Sequence, residues 1–295
     1  VRIASTIGGI LACLICATSA FAGMLDYTQL LARPRAPAQR IQYGSAPSQF
    51  ADLYLPSGKG PHRVAVMIHG GCWRADLPGL DLTAYAAEDL RQHGFAVWNV
   101  EYRRLGEQGG GYPGTFEDIA VAVDWLRNIA KASKLDLNNV IAVGHSSGGQ
   151  LALWAAARRK LAKSSPLYRD NPLPIKSAVT LAGINDLEAY RQFGPAICGG
   201  PRVIDFLIGK PTRSPWDLYA DTSPAQMLPI GVPQFVVSGA IDPIVPAQFG
   251  RGYAEKATAA GDKVKEVTFP DAAYFELIDP ATVFGKVRAM ITQQK

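Results

Sequence analysis

The sequence predicts an α/β protein, with a mostly parallel central sheet, helices on both faces and a small cap insertion. Three observations predict it. From Val64 onward, short apolar runs rich in β-branched residues alternate with helical patterns, as parallel strands joined by crossover helices require. The run Val140-Ile141-Ala142-Val143 turns through Gly144-His145-Ser146-Ser147-Gly148-Gly149 straight into an Ala/Leu-rich helix pattern. Between Ile184 and Pro233 the alternation stops, and prolines, glycines and aromatics take over.

At 295 residues and 48% hydrophobic content, the chain can bury one large core, and one domain is expected. The formal charge of +5 is spread out, with tight basic runs only at Arg103-Arg104 and Arg158-Arg159-Lys160. No basic stripe interleaved with aromatics occurs, so nucleic-acid binding is not expected. Arg2, the apolar stretch Ile7 to Ala17 and Ala20-Phe21-Ala22 form the three parts of a secretory signal. Residues 1–22 are therefore expected to be removed, leaving a 23–295 domain that is periplasmic or secreted and has no membrane span. An uncleaved anchor is the alternative. Cleavage removes Cys13 and Cys16 and leaves Cys72 and Cys198. In an exported chain these two make a disulfide candidate, with two buried thiols as the other reading. No Cys or His spacing suggests a metal site, and no cofactor is expected.

The elements follow in order. After a short helix-like piece and a Pro/Arg-rich passage from Arg33 to Arg40, Ile41 to Gly44 and Phe50 to Pro56 read as an antiparallel edge pair. Val64 to Ile68 is a buried strand ending in His69-Gly70-Gly71-Cys72-Trp73. Asp81 is placed to cap a helix running to about His93, which Gly94 ends. Phe95 to Tyr102 is the next strand. Thr115 and Asp118 form a candidate capping pair for a helix with the stripe Phe116, Ile119, Ala120, Val123 and Leu126. After the Val140 strand and its helix come strands at Ile175–Leu181, Gln234–Ser238 and Val264–Phe269. Helices are expected near Ala247–Ala260 and Ala281–Thr292.

The Gly144–Gly148 stretch is a G-x-S-x-G pattern in the context of strand, sharp turn and helix, which exposes a serine at the tip of a sheet. A serine hydroxyl is a weak nucleophile unless a base takes its proton and an oxyanion site holds the resulting charge. Gly70, Gly71 and Cys72 follow the first buried strand, where glycines let backbone amides approach a ligand. The amide of Ser147 would be the second arm.

In these motifs, and in Ser238-Gly239-Ala240-Ile241-Asp242-Pro243 after a late strand, the sequence resembles the α/β-hydrolase superfamily. The likeness is to esterases, lipases and arylformamidase-like hydrolases with an HGG oxyanion loop, and it covers Gln42 to the C-terminus. It implies that Ser146 is the nucleophile and Asp242 the triad acid. Asp186, in Gly183-Ile184-Asn185-Asp186, is a weaker acid candidate and reads as a loop organiser. The superfamily's histidine comes last, after the final strand. Here the chain reads Asp271-Ala272-Ala273-Tyr274-Phe275, and Tyr274 stands in the histidine's place. No histidine follows His145. His62, His69, His93 and His145 are all poorly placed to be the base.

A phenol of pKa near 10 is almost wholly protonated at neutral pH. Either the scaffold of a serine hydrolase has lost turnover, or Tyr274 serves an altered mechanism. The latter would need a nearby lysine, and Lys286 is not obviously placed for it. The expected function is hydrolysis of small-molecule carboxylic esters through an acyl-Ser146 intermediate, impaired by Tyr274. The alternatives are arylformamidase-like amide hydrolysis and a non-catalytic pocket protein. Trp73, Ile184, Phe206 and Trp216 are candidate pocket residues, although Trp73 fits core packing equally well. A Cys72–Cys198 bond would tie the cap to the oxyanion loop.

Overall fold

In the computed structural model, residues 26–33, 38–209 and 219–292 are described. The expected signal segment and Trp216 lie outside them. Among the described residues, eight strands form one sheet in the order β1-β2-β4-β3-β5-β6-β7-β8. In chain order they are β1 (Gln39–Gln42), β2 (Phe50–Tyr54), β3 (His62–Ile68), β4 (Phe95–Val100), β5 (Leu135–His145), β6 (Ser177–Leu181), β7 (Gln234–Gly239) and β8 (Val264–Phe269). β1 and β2 pair antiparallel, as does β2 with β4. Every pairing from β4 through β3 to β8 is parallel.

The burial pattern follows from this order. Strands covered on both faces cannot alternate polar and apolar residues. All six residues of β4 and all five of β6 are buried, whereas the edge strand β8 is largely half-buried. The helices are α1 (Tyr27–Leu31), α2 (Ala84–Gln92), α3 (Gly114–Ile129), α4 (Ser147–Ala157), α5 (Leu187–Phe193), α6 (Pro201–Ile208), α7 (Ala247–Ala259) and α8 (Phe284–Thr292). All eleven residues of α4 are buried. A helix that is apolar all round belongs in a core, and α4 lies against β5 and β6. None of the described helices is long and apolar enough to cross a membrane.

Three helix starts differ from expectation. Asp81 does not cap α2, because Leu80–Thr83 forms a 3-10 turn leading into the helix and no side chain caps it. Thr115 and Asp118 do not form a capping box. Thr115 Oγ1 donates to Arg103 O and accepts from Gly111 N–H, while Asp118 binds Arg103 and Gln49. Tertiary partners have taken both side chains. The last helix begins at Phe284 rather than Ala281, because Asp279 and Thr282 first form a turn closed by Ala281 N–H on Asp279 Oδ1. Gly94 ends α2 as expected, at φ +90° with its N–H on Arg91 O.

Between β6 and β7 the chain holds α5 and α6, joined by an Arg191–Asp205 ion pair at 2.6 Å. Asp186 organises the entry to α5. One oxygen accepts from Ala189 N–H, and the other meets Lys256 Nζ at 2.6 Å. Cys72 and Cys198 form a disulfide across 126 residues of sequence, linking the loop after β3 to the turn before α6. A covalent loop of that length is worth about 2–5 kcal/mol by restricting the unfolded chain.

Candidate active site

The site is built at the C-terminal ends of β3, β5, β7 and β8. β5 ends at His145, and α4 starts at Ser147. Ser146, between them, is held at φ 57° and ψ −122°. Such a conformation costs roughly 1–3 kcal/mol and persists only where the surroundings enforce it. Here Ser146 N–H donates to Leu181 O at 2.8 Å, and Ser146 O accepts from Gly149 and Ile184. Gly148 is required by the close packing that results. A Cβ there would overlap the carbonyl oxygens of Ile68 and His69. The Ser146 hydroxyl is buried and has no well-formed hydrogen bond among the described residues.

The loop after β3 lies alongside. A Cβ on Gly70 would stand 3.0 Å from Ser146 Cβ and from His145 O, a tight fit that glycine relieves. Gly71, Cys72 and Trp73 then take positive φ in succession, at 99°, 52° and 55°. Trp73 N–H donates to Ser147 Oγ at 3.4 Å, Arg74 N–H closes back on Gly71 O, and the Cys72–Cys198 bond secures the loop from outside. The N–H groups of Gly71, Cys72 and Ser147 have no acceptor among the described residues. Unpaired amides beside a serine hydroxyl are what an oxyanion site needs.

Asp242 occupies the loop after β7. Its Oδ1 accepts from Ile244 N–H at 2.7 Å and Val245 N–H at 2.9 Å, while its Oδ2 is buried with no hydrogen-bond partner among the described residues. Burial pushes this carboxyl up to about 7. The two backbone hydrogen bonds oppose the rise, and the nearby Glu276 charge adds to it. A buried carboxyl with one oxygen left without a donor is not held ionised.

Tyr274 lies in the loop after β8, 6% exposed. Burial raises its phenol well above the ordinary range. The adjacent Ser146 hydroxyl offsets part of that rise, and the charge of Asp242 adds to it. The phenol is thus near enough to Ser146 and Asp242 to feel both, and it stays protonated. Contact with Ser146 is close enough to influence the phenol, yet it falls short of a well-aligned hydrogen bond. Lys286 stands over the Phe269 ring at 5.8 Å.

The raised carboxyl makes folding sensitive to pH. Between about pH 4 and pH 7 the unfolded chain releases the Asp242 proton while the folded chain keeps it. Stability therefore falls as pH rises through that window, by up to about 1.4 kcal/mol per pH unit, and levels off above it. Asp242→Asn should remove this loss. We expect it to stabilise the chain by about 2–4 kcal/mol at pH 8 and to change little at pH 4, as measured by urea unfolding at both pH values.

Of the other expected site residues, Ile184 is buried and donates its N–H to Ser146 O at 3.2 Å. Trp73 is fully buried, with its indole N–H on Gln150 Oε1 at 3.1 Å, so its ring belongs to the core. Phe206, 61% exposed on α6, borders an outer cavity with Arg74, Leu105 and Cys198. The three are not brought together on one wall. His145 is buried, its Nε2–H donating to Tyr274 O at 3.2 Å and its ring 4.3 Å from the Tyr274 ring. Burial pushes it down to about 4, so it is neutral and holds the Tyr274 loop by its backbone.

Two residues escaped the sequence reading. Glu101 binds His69 Nε2 at 2.8 Å, and Gln150 joins Trp73 to Thr222 O. Glu101 left one signal, a carboxylate at the C-terminal end of a buried parallel strand, where sites of α/β sheets form.

Comparison with known proteins agrees with this fold. The BD-FAE family model matches residues 51–256. The chain belongs to the BD-FAE family. Among curated relatives, the non-reducing polyketide synthase pkbA of Emericella nidulans is 31% identical over 116 residues, 36% of this chain and 4% of its own length. The probable carboxylic ester hydrolase LipM of Mycobacterium tuberculosis is 23% identical over 190 residues, 64% of this chain and 42% of the relative. This family member thus spans only a small part of the synthases it matches and under half of LipM. A solved structure described as a truncated form of a carbohydrate esterase from gut microbiota superposes with a TM-score of 0.71 at 21% identity, covering 88% of this chain and 96% of that one. The fold is that of the α/β-hydrolases, and the family is esterase-like.

Proposed function

We propose that this BD-FAE family member is a serine hydrolase of small carboxylic esters whose turnover is held low by Tyr274. The observation that supports it best is the set of unsatisfied groups at one point. A buried Ser146 hydroxyl on a strained backbone, an Asp242 oxygen with no donor and three unpaired amides lie in the loops at one end of the sheet, together with a phenol that cannot accept a proton. In this reading Ser146 Oγ attacks the ester carbonyl, and the amides of Gly71, Cys72 and Ser147 stabilise the oxyanion. Collapse of that intermediate expels the alcohol, which leaves with the proton given up by Ser146 Oγ, and water then cleaves the acyl-Ser146 ester to free the acid and restore the serine hydroxyl. Asp242 is the acid meant to orient the base, and residue 274 is the base position. Without a base the scaffold retains only what the oxyanion site and binding supply, about 10³–10⁴-fold over water.

Amide or formamide hydrolysis would suffer more, because its leaving group needs a proton that only a base-turned-acid delivers. Residues 1–22 are proposed to be a secretory signal. The segment 184–233 is proposed to be a cap on a single 23–295 domain. The Cys72–Cys198 disulfide supports an oxidising compartment, periplasmic or extracellular.

Hydrolysis of p-nitrophenyl acetate tests the assignment of the nucleophile. In the Tyr274→His background, Ser146→Ala should return the rate to about that of the parent, because the oxyanion site and binding remain while the nucleophile is gone. An unchanged rate would remove Ser146 from the reaction.

A further inference from the structure

Glu101 lies just beyond β4, facing the loop that approaches Ser146, and is 5% exposed. Its Oε1 meets His69 Nε2 at 2.8 Å and Tyr102 N–H at 3.0 Å, and Arg104 Nε stands at 3.4 Å; its Oε2 accepts from Leu80 N–H at 3.1 Å. Burial alone would raise this carboxyl. The charge and hydrogen bond of His69, followed by Arg104 and the Tyr102 amide, outweigh burial and hold it at about 2. His69 aside, each carboxylate oxygen already accepts a backbone N–H and Arg104 stands beside them, so Glu101 is an anion that can only accept hydrogen bonds.

The other ring nitrogen of His69, Nδ1, lies 2.7 Å from Gly70 O, which is also purely an acceptor. A neutral imidazole has one N–H and one lone pair. In either tautomer its lone pair would be forced against an oxygen lone pair at hydrogen-bond distance. The ring cannot turn away, because Tyr102 stacks on it at 4.5 Å and 16° and donates its hydroxyl to His69 O at 3.1 Å.

We propose that His69 is held as an imidazolium between Glu101 and the Gly70 carbonyl, and that the pair positions the oxyanion loop. Gripping Gly70 O fixes the plane of the Gly70–Gly71 peptide. In a trans peptide the Gly71 N–H then points away from the His69 ring. Neither residue is proposed to touch substrate. They act through the backbone, and a fixed positive charge behind the amides adds to their field. The charged and titratable groups that face the ring are Glu101 and Tyr102 beside it, Arg104 from the following turn and His145 from the elbow, which burial keeps neutral. The functional part of this inference rests on the proposed role of those amides; the charge on the ring does not.

Two measurements test the two parts separately. The chain has four histidines, so ¹⁵N-histidine NMR can resolve each ring. In the parent at pH 7, His69 should show both nitrogens protonated, and Glu101→Gln, which keeps the shape and an acceptor, should convert it to a single tautomer. In the Tyr274→His background, Glu101→Gln should lower kcat for p-nitrophenyl acetate by about tenfold with KM little changed. That is a smaller loss than the roughly 10²–10³-fold that follows removal of an oxyanion donor itself. Should Glu101→Gln fail to fold, His69→Asn keeps a donor for Gly70 O, removes the charge and should give the same loss of kcat. A bare ring nitrogen on His69 in the parent, or an unchanged kcat in these variants, overturns the proposal. If Tyr274→His is inactive while His69 is doubly protonated, the proposed hydrolysis fails and the charge on the ring is supported.

Discussion

Tyr274→His should raise kcat/KM for p-nitrophenyl acetate on the order of 10³-fold or more. The bound comes from the cost of losing the base. An intact serine triad exceeds its base-less form by up to about 10⁶-fold. A single substitution can recover much of this only if the backbone at position 274 is already in place. It is held at several points. His145 Nε2–H grips Tyr274 O at 3.2 Å, and Ile241 N–H binds Ala272 O at 3.2 Å. The carbonyls of Ala272 and Ala273 press against Gly239 so closely that a Cβ there would overlap them. The backbone of this loop is therefore held from both sides, independently of the side chain at position 274. An imidazole there would also give Asp242 Oδ2 the donor it lacks, drawing that carboxyl down from about 7 toward its ordinary range. Steady-state kinetics of the two proteins side by side check this. A gain below tenfold would mean that residue 274 is not the base position.

In that histidine background, Asp242→Asn should reduce kcat by about 10⁴-fold, the size of effect seen when a triad acid is replaced by its amide and the imidazole is left in the wrong tautomer. In the parent the same substitution should leave the already slow rate nearly unchanged, since there is no imidazole to orient. The opposite sign on stability makes the pair of results informative. In the parent the Asn variant gains stability above pH 7, whereas in the histidine background it loses the activity that histidine restores. Equal effects of Asp242→Asn on kcat in both backgrounds would show that Asp242 does not act through residue 274.

The sheet was legible where strands are covered on both faces. Val64–Ile68, Val140–Val143 and Ile175–Leu181 read as strands because residues 64–68, 140–143 and 177–181 are buried on both faces of β3, β5 and β6. The elbow was legible because its constraint is local: Gly144, Ser146 and Gly148 must be neighbours in sequence to make the turn. Asp242 and Tyr274 needed the superfamily resemblance, since nothing local marks a loop aspartate or tyrosine as part of a site. The caps at Asp81 and Thr115 misled for a physical reason. Their side chains or backbone were claimed by partners that only the fold brings near, such as Arg103 O for Thr115. Glu101 was missed because its meaning depends on His69, 32 residues earlier, across the β3–β4 pairing.

The central claim is that Ser146 is a presented nucleophile lacking only its base. Covalent labelling by a fluorophosphonate, followed by intact mass and peptide mapping, tests it most directly. The Tyr274→His protein should take up one phosphonyl group on Ser146 at least about a hundredfold faster than the parent, and Ser146→Ala in that background should take up none. Equal labelling rates in parent and histidine variant, or a label on any residue other than Ser146, would contradict it.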